Sequence, residues 1–250
     1  MRVTRVFVDA PLASGVHLAL PEGAARHVAR VLRLGEGDAL RVFNGRGGEY
    51  EAIIDSTRRD EVTARIGAHH EVERESPLRI VLLQGIARGE KMDLILQKAT
   101  ELGVHAFVPV KMARSTVRLD ERTALARQQH WQAVVASACE QSGRNYVPAV
   151  APPATLPQCL GPFAGLRLLL APGEGSLPLS DLLAGAAPNG GVPECIEMLV
   201  GPEGGFDPAE TATATAAGFQ PCRLGPRILR TETAGLAALA ALQSLAGDLR

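Results

Sequence analysis

Three apolar runs near the end of the chain each break off in a turn of glycine and proline. They are RLLLAPGEG, IEMLVGPEGGF and QPCRLGP, in that order. This feature constrains the fold most. Short apolar runs without alternation suit strands buried on both faces, which occur in parallel sheets covered by helices. RIVLLQGI and VHAFVPV, upstream, have the same character, and helical stretches stand between the runs. Strand and helix alternate, so the fold class is α/β with a mainly parallel sheet.

The first 75 residues read differently. RVFVDA, ALRVFNG, EYEAIID and EVTARIG are short strands parted by Gly, Asn and Asp. One helical stretch, AARHVARVLRL, interrupts them. Its Val28, Val31 and Leu32 fall at i, i+3 and i+4 and predict one buried face. Arg26, Arg30 and Arg33 fall at i, i+4 and i+7, a stripe that either grips phosphates or is a solvated face. The segment predicts a small β-barrel with one helix. VERESP, residues 72–77, is the expected linker, which gives domains at 1–72 and 77–250.

In the second domain, EKMDLILQKATEL predicts a helix with Met92, Ile95, Leu96, Ala99 and Leu102 on one side. DERTALARQQHWQAVVASACEQSG predicts a long helix closed by Gly143 as its C-cap. Trp131 reads as core. After GPEGGF, Asp207 is expected to cap a helix, with Pro208 at N1 and Glu210 at N3. Thr231 is expected to cap the last, alanine-rich helix.

Ligands of open α/β sheets bind outside the carboxyl ends of strands. The three turns lie at such ends, so they predict one pocket lined largely by main chain, because glycine admits close backbone approach. GPEGGF lacks the Lys-Ser/Thr of a P-loop, and no G-x-G-x-x-G follows a strand. Nucleoside triphosphates and dinucleotides are therefore disfavoured. The histidines form no HExxH, and His69-His70 reads as surface. G-x-S-x-G is missing as well.

The net charge of -1 names no partner, but its distribution is uneven. Residues 76–150 carry 10 Lys+Arg against 6 Asp+Glu, and residues 151–250 carry 5 against 9. A basic middle segment suits an anionic partner. The four cysteines have neither zinc nor redox spacing, and no stretch is apolar enough for a membrane span. A cytoplasmic protein with no membrane partner is expected.

ARGEKMDLILQKATELGV, ACEQSGR, LVGPEGGF and LGPRILRTETA, in that order, resemble the bacterial 16S ribosomal RNA uridine-N3 methyltransferases. The resemblance spans the chain and is strongest in these four motifs. It implies a SPOUT fold with a C-terminal trefoil knot, a PUA-like RNA-binding barrel in front, and a homodimer. It implies S-adenosylmethionine as cofactor and a uridine of small-subunit ribosomal RNA, within the assembled subunit, as substrate.

Carried over by motif, the cofactor loops contribute Leu170, Ala171 and Pro172; Val200, Gly201, Gly204 and Gly205; and Leu224, Gly225, Ile228 and Leu229. Uracil N3 keeps its proton at neutral pH and is a poor nucleophile until that proton is lost. Arg230 is the expected stabiliser of the uracil anion, and Glu232 or Glu203 the carboxylate beside it. The architectural alternative is that Arg230 and Glu232 pair with each other or across a dimer. Arg26, Arg30, Arg33, Arg88, Lys91, Lys98, Arg114 and Arg144 are the candidate RNA contacts. The competing functions are methylation of another RNA target and non-catalytic RNA binding.

Overall fold

The computed structural model describes residues 3–59, 61–186 and 193–249. Contacts divide the chain into two units, one of residues 1–75 with 136–147, the other of 76–135 with 148–250.

The first unit is built on β1 (Thr4–Phe7), β2 (His17–Ala19), α1 (Glu22–Arg26), β3 (Ala39–Phe43), β4 (Glu49–Arg58) and β5 (Glu61–His70). The strand order is β1-β3-β4-β5-β2, with only the β1–β3 pair parallel. Inward positions alternate as period-2 strands require: Leu40 and Val42, Ala52 and Ile54, Val62, Ala64 and Ile66 form the core.

Helix α1 runs into a π-helical turn over His27–Leu32, which Arg33 closes in a left-handed conformation at φ 56°. The wider turn explains one failed expectation. Val28 is buried, but Val31 is 67% exposed, because i→i+5 bonding rotates it off the face that an α-helix would give it. Arg26, Arg30 and Arg33 all remain exposed.

The segment 136–147 is tied to this unit by polar contacts. Arg5 donates to Glu49, to the Arg144 carbonyl at 2.9 Å and to Asn145 Oδ1 at 2.7 Å. Asn145 Nδ2 donates to the Val72 carbonyl at 2.7 Å. Arg144 binds Glu75 in a bidentate pair, its Nε at 2.9 Å from Oε1. At 4% exposure, Arg144 is a buried structural tie. This corrects its place among the RNA contacts: the charge is already matched, and the side chain does not reach solvent.

The second unit runs β6 (Arg79–Gly85), α2 (Glu90–Glu101), β7 (Ala106–Lys111), α3 (Glu121–Ser142, whose residues from 136 onward belong to the first unit), β8 (Ala149–Val150), β9 (Ala154–Thr155) and α4 (Leu156–Cys159). It continues with β10 (Leu166–Leu170), β11 (Leu177–Pro178), α5 (Leu179–Gly185), β12 (Cys195–Val200), α6 (Pro208–Ala216), β13 (Gln220–Arg223) and α7 (Thr231–Ala246). The sheet order is β11-β13-β10-β12-β6-β7-β8, with β9 also on β7. Every pairing among these strands is parallel.

Helix α2 buries Met92, Ile95, Leu96 and Ala99 as its period predicts, while Leu102 is half-buried at the C-cap. Trp131 is buried. Gly143, at φ 89°, follows α3 and lets the chain turn left-handed there. Asp207 caps α6 with Pro208 and Glu210 in the expected box. No helix among the described residues is long and apolar enough to cross a membrane.

Candidate active site

The strands that carry the three turns are neighbours, in the order β13-β10-β12. Because all run parallel, their carboxyl ends open on the same edge of the sheet. The three turns therefore converge, and they line one cavity of about 620 Å³. Leu170, Ala171 and Pro172 come from the first turn, Val200, Gly201, Glu203 and Gly205 from the second, and Leu224, Ile228, Leu229 and Arg230 from the third. Lys91 of α2 and Glu232 of α7 complete the charged part of the wall.

Two expected cofactor residues fall outside the lining, Gly204 and Gly225. A Cβ on Gly204 would stand 2.6 Å from the Arg114 carbonyl oxygen, so this glycine permits close packing against the loop after β7. Gly225 turns the chain at φ 84°. The cavity also draws on residues outside the turns that sequence reasoning singled out for it: Phe206, Thr211, Cys222 and Arg223. Cys222 and Arg223 were discoverable as the last residues of an apolar run. Thr211 sits on α6 and had no signal in the sequence.

The start of α7 corrects another expectation. Arg230 occupies the N-cap position and provides no side-chain cap; Thr231 is the first helical residue. The Thr231 hydroxyl donates to the Gly201 carbonyl at 2.6 Å and accepts from Gln84 Nε2 at 3.1 Å. Gln84 Nε2 also donates to the Gly85 carbonyl at 2.9 Å. All four residues are buried, so this chain of bonds fixes the ends of β6 and β12 to the start of α7 in low dielectric.

Six charged residues line the cavity: Lys91, Glu203, Arg223, Arg227, Arg230 and Glu232. Among the described residues no ion pair joins Arg230 to Glu232. Instead Lys91 Nζ stands 3.3 Å from Glu232 Oε2 and 3.6 Å from Glu203 Oε1. Glu203 also accepts the Arg88 N–H at 3.0 Å. Burial alone raises the Glu203 pKa, but the Arg88 N–H and the Lys91 ammonium outweigh it and hold the carboxyl below its ordinary 4.5. Glu232 Oε2 is buried and accepts no hydrogen bond, Lys91 being near but not aligned. Cys222 is buried in the wall, and burial pushes its thiol up to about 11, so it stays protonated and is a poor nucleophile.

The remaining basic candidates divide by environment. Arg88 is exposed. Lys98 is held by Glu101 on its own helix at 2.8 Å. Arg114 is exposed and lies 3.9 Å from Asp207. His69 packs on Tyr50 with ring centroids 4.6 Å apart, and His70 bonds Glu51 at 3.1 Å.

A parallel sheet whose strand-end turns close on one cavity defines an α/β protein with a candidate ligand site at the carboxyl edge of its sheet. Comparison with known proteins is more specific. Residues 74–243 match the model of the RNA methyltransferase domain, and residues 20–67 that of the RNA methyltransferase PUA domain. Ribosomal RNA small subunit methyltransferase E of Bacillus subtilis is 35% identical over 218 residues, 86% of this chain and 85% of that protein. Its namesake from Buchnera aphidicola subsp. Schizaphis graminum is 31% identical over 99% of this chain and 98% of its own. The crystal structure of ribosomal RNA small subunit methyltransferase E from Neisseria gonorrhoeae, bound to S-adenosyl methionine, superposes with a TM-score of 0.91 at 38% identity, covering both chains fully. A Legionella pneumophila methyltransferase, also with S-adenosylmethionine, gives 0.93 at 37% over both full chains. The chain belongs to the RNA methyltransferase family, among the ribosomal RNA small subunit methyltransferase E proteins.

Proposed function

We propose that this protein is an S-adenosylmethionine-dependent methyltransferase that methylates N3 of one uridine in small-subunit ribosomal RNA. The single observation behind this reading is the convergence of three strand-end turns on one cavity that has Arg230 and Glu232 on its wall.

The residues present fit the cofactor. Ile228 lines the cavity yet is 88% exposed, an apolar surface with nothing of the chain over it. Leu170, Val200 and Leu229 extend that wall, which suits an adenine ring and a methionine chain without phosphate. Leu224, Ile228 and Leu229 would pack on the adenosine, while main-chain N–H and C=O groups of the three turns read its edge. When bound, S-adenosylmethionine supplies an electrophilic methyl group.

The chain's own work is to present a nucleophile. Uracil N3 must lose its proton, and the negative charge then spreads to O2 and O4. Arg230, exposed at the N-cap of α7 with its guanidinium outside any ion pair among the described residues, is placed to donate to one of those oxygens. Glu232, whose side chain lines the same cavity, is the acceptor for the N3 proton or for the N–H that orients the base. Holding the two reactants in line supplies much of the remaining rate, up to roughly 7–11 kcal/mol in the best intramolecular cases.

Residues 77–250 form the methyltransferase domain in this reading, and residues 1–72 an RNA-binding barrel of PUA type. The knot expected of a SPOUT fold is supported by the order of elements. The chain leaves β13 beside β10, then α7 packs on β12 and β6 beyond it, so the connection 224–230 crosses the edge of the sheet where the β12 turn stands. A homodimer belongs to the same reading. Four free cysteines are consistent with the cytoplasm.

The test is methyl transfer to purified small ribosomal subunits from a strain lacking this activity, with the product nucleoside identified by mass spectrometry. Labelled 3-methyluridine is the expected product. A different methylated nucleoside would transfer the reading to another RNA target, and cofactor binding without transfer to these subunits would exclude them as substrate.

A further inference from the structure

Lys91 stands in the first turn of α2, where the helix macrodipole disfavours a cation. The helix therefore gives no local reason for a lysine there. Its ammonium reaches two carboxylates that come from different segments, Glu203 of the β12 turn at 3.6 Å and Glu232 of α7 at 3.3 Å. Glu203 is anchored a second time, by the Arg88 N–H of the turn that precedes α2. Glu232 Oε2 has no such second anchor and no hydrogen bond. Arg223, Arg227 and Arg230 line the same cavity, yet among the described residues none of them pairs with either carboxylate.

We propose that Lys91 is a positioning residue for the methyl transfer, holding the Glu232 carboxylate at a fixed orientation through charge, with its buried Oε2 turned to the ammonium. The inference rests on the function proposed above. Its physical basis is the geometry of a shared counter-ion. Without Lys91, two carboxylates would face one region of a partly dry cavity with no cation between them, and repulsion would turn Glu232 outward. An ammonium 3.3 Å from Glu232 and 3.6 Å from Glu203 supplies that cation to both. The same placement removes Lys91 from the expected RNA phosphate contacts, since its charge is directed at these two side chains.

Single-turnover methylation of small subunits by wild type, Lys91→Met, Lys91→Arg, Glu232→Gln and the Lys91→Met/Glu232→Gln pair tests this. Cofactor affinity by calorimetry and the salt dependence of RNA binding are measured on the same proteins. Lys91→Met is expected to lower the transfer rate about tenfold, with the RNA KM and the slope of affinity against salt unchanged. Lys91→Arg should recover most of the rate. The double variant should be no slower than Glu232→Gln alone, because a residue that acts through Glu232 has nothing left to position. A higher KM with a salt slope lower by about one, at unchanged rate, would make Lys91 a phosphate contact and overturn the inference. Strictly additive losses in the double variant would overturn it too. If Lys91→Met is unstable, Lys91→Arg set against Glu232→Gln decides: an arginine variant as slow as Glu232→Gln refutes a role through charge. Failure of wild type itself to methylate these subunits would strike the proposed function rather than this role.

Discussion

At the scale of the residue, charges near the cavity divide into those that are satisfied and those that are not. Arg230 is in no ion pair among the described residues, and in the proposed function it meets the charge that develops on the uracil. Replacing it by alanine should lower the transfer rate by roughly two orders of magnitude, as loss of an anion-stabilising donor does elsewhere, with cofactor affinity little changed. Stopped-time product assays with parallel calorimetry check both halves. Glu203 offers a test in pH. Its carboxyl binds a proton less readily folded than unfolded, so it contributes stability above its ordinary 4.5 and loses that contribution as pH falls through the lower folded value. The melting-temperature difference between wild type and Glu203→Gln should be present near neutral pH and should vanish as pH falls below 4.5 and through the lower folded value. Arg144 is the opposite case, a charge already matched. Arg144→Ala leaves Glu75 without its bidentate partner and should destabilise by roughly 3–5 kcal/mol in denaturant unfolding, while the salt slope of RNA binding stays put.

At the scale of the element, the strands and most helices were legible because their signals are local. Apolar runs, Gly143 after α3 and the Asp207 box are each set by residues within a turn or two of one another. The helix after β2 was not legible in detail. A π-helical turn has the same composition as an α-helical one, and the choice goes with the packing of Val28 into the core of the first unit. Thr231 shows the same limit at a helix start: the sequence offers a cap, and the fold uses the hydroxyl to join β6, β12 and α7. Thr231→Val should therefore cost roughly 1–3 kcal/mol by stranding the Gly201 carbonyl, more than loss of a cap would in most helices, measured by thermal or urea unfolding.

At the scale of the whole molecule, RNA binding should be read through salt. Replacing Arg26, Arg30 and Arg33 together by glutamine should reduce the slope of log affinity against log salt by about 0.7 for each phosphate contact actually made on single-stranded RNA. No change in slope would identify the stripe as a solvated face. Cofactor affinity should be unaffected, since none of the three lines the cavity.

The sequence by itself determined the α/β class, the parallel sheet and the three turns. These follow from hydrophobic period and from what glycine and proline permit, which are properties of short segments; the individual residues that face the cavity were named through the resemblance of the motifs. Only the tertiary structure decided that β13, β10 and β12 are neighbours, so that turns separated by tens of residues form one wall. It also decided that Lys91 lies between Glu203 and Glu232 and that Arg144 is buried. A charged side chain has no period to betray its partner; its role is fixed by which distant segments the sheet brings within a few ångströms of it.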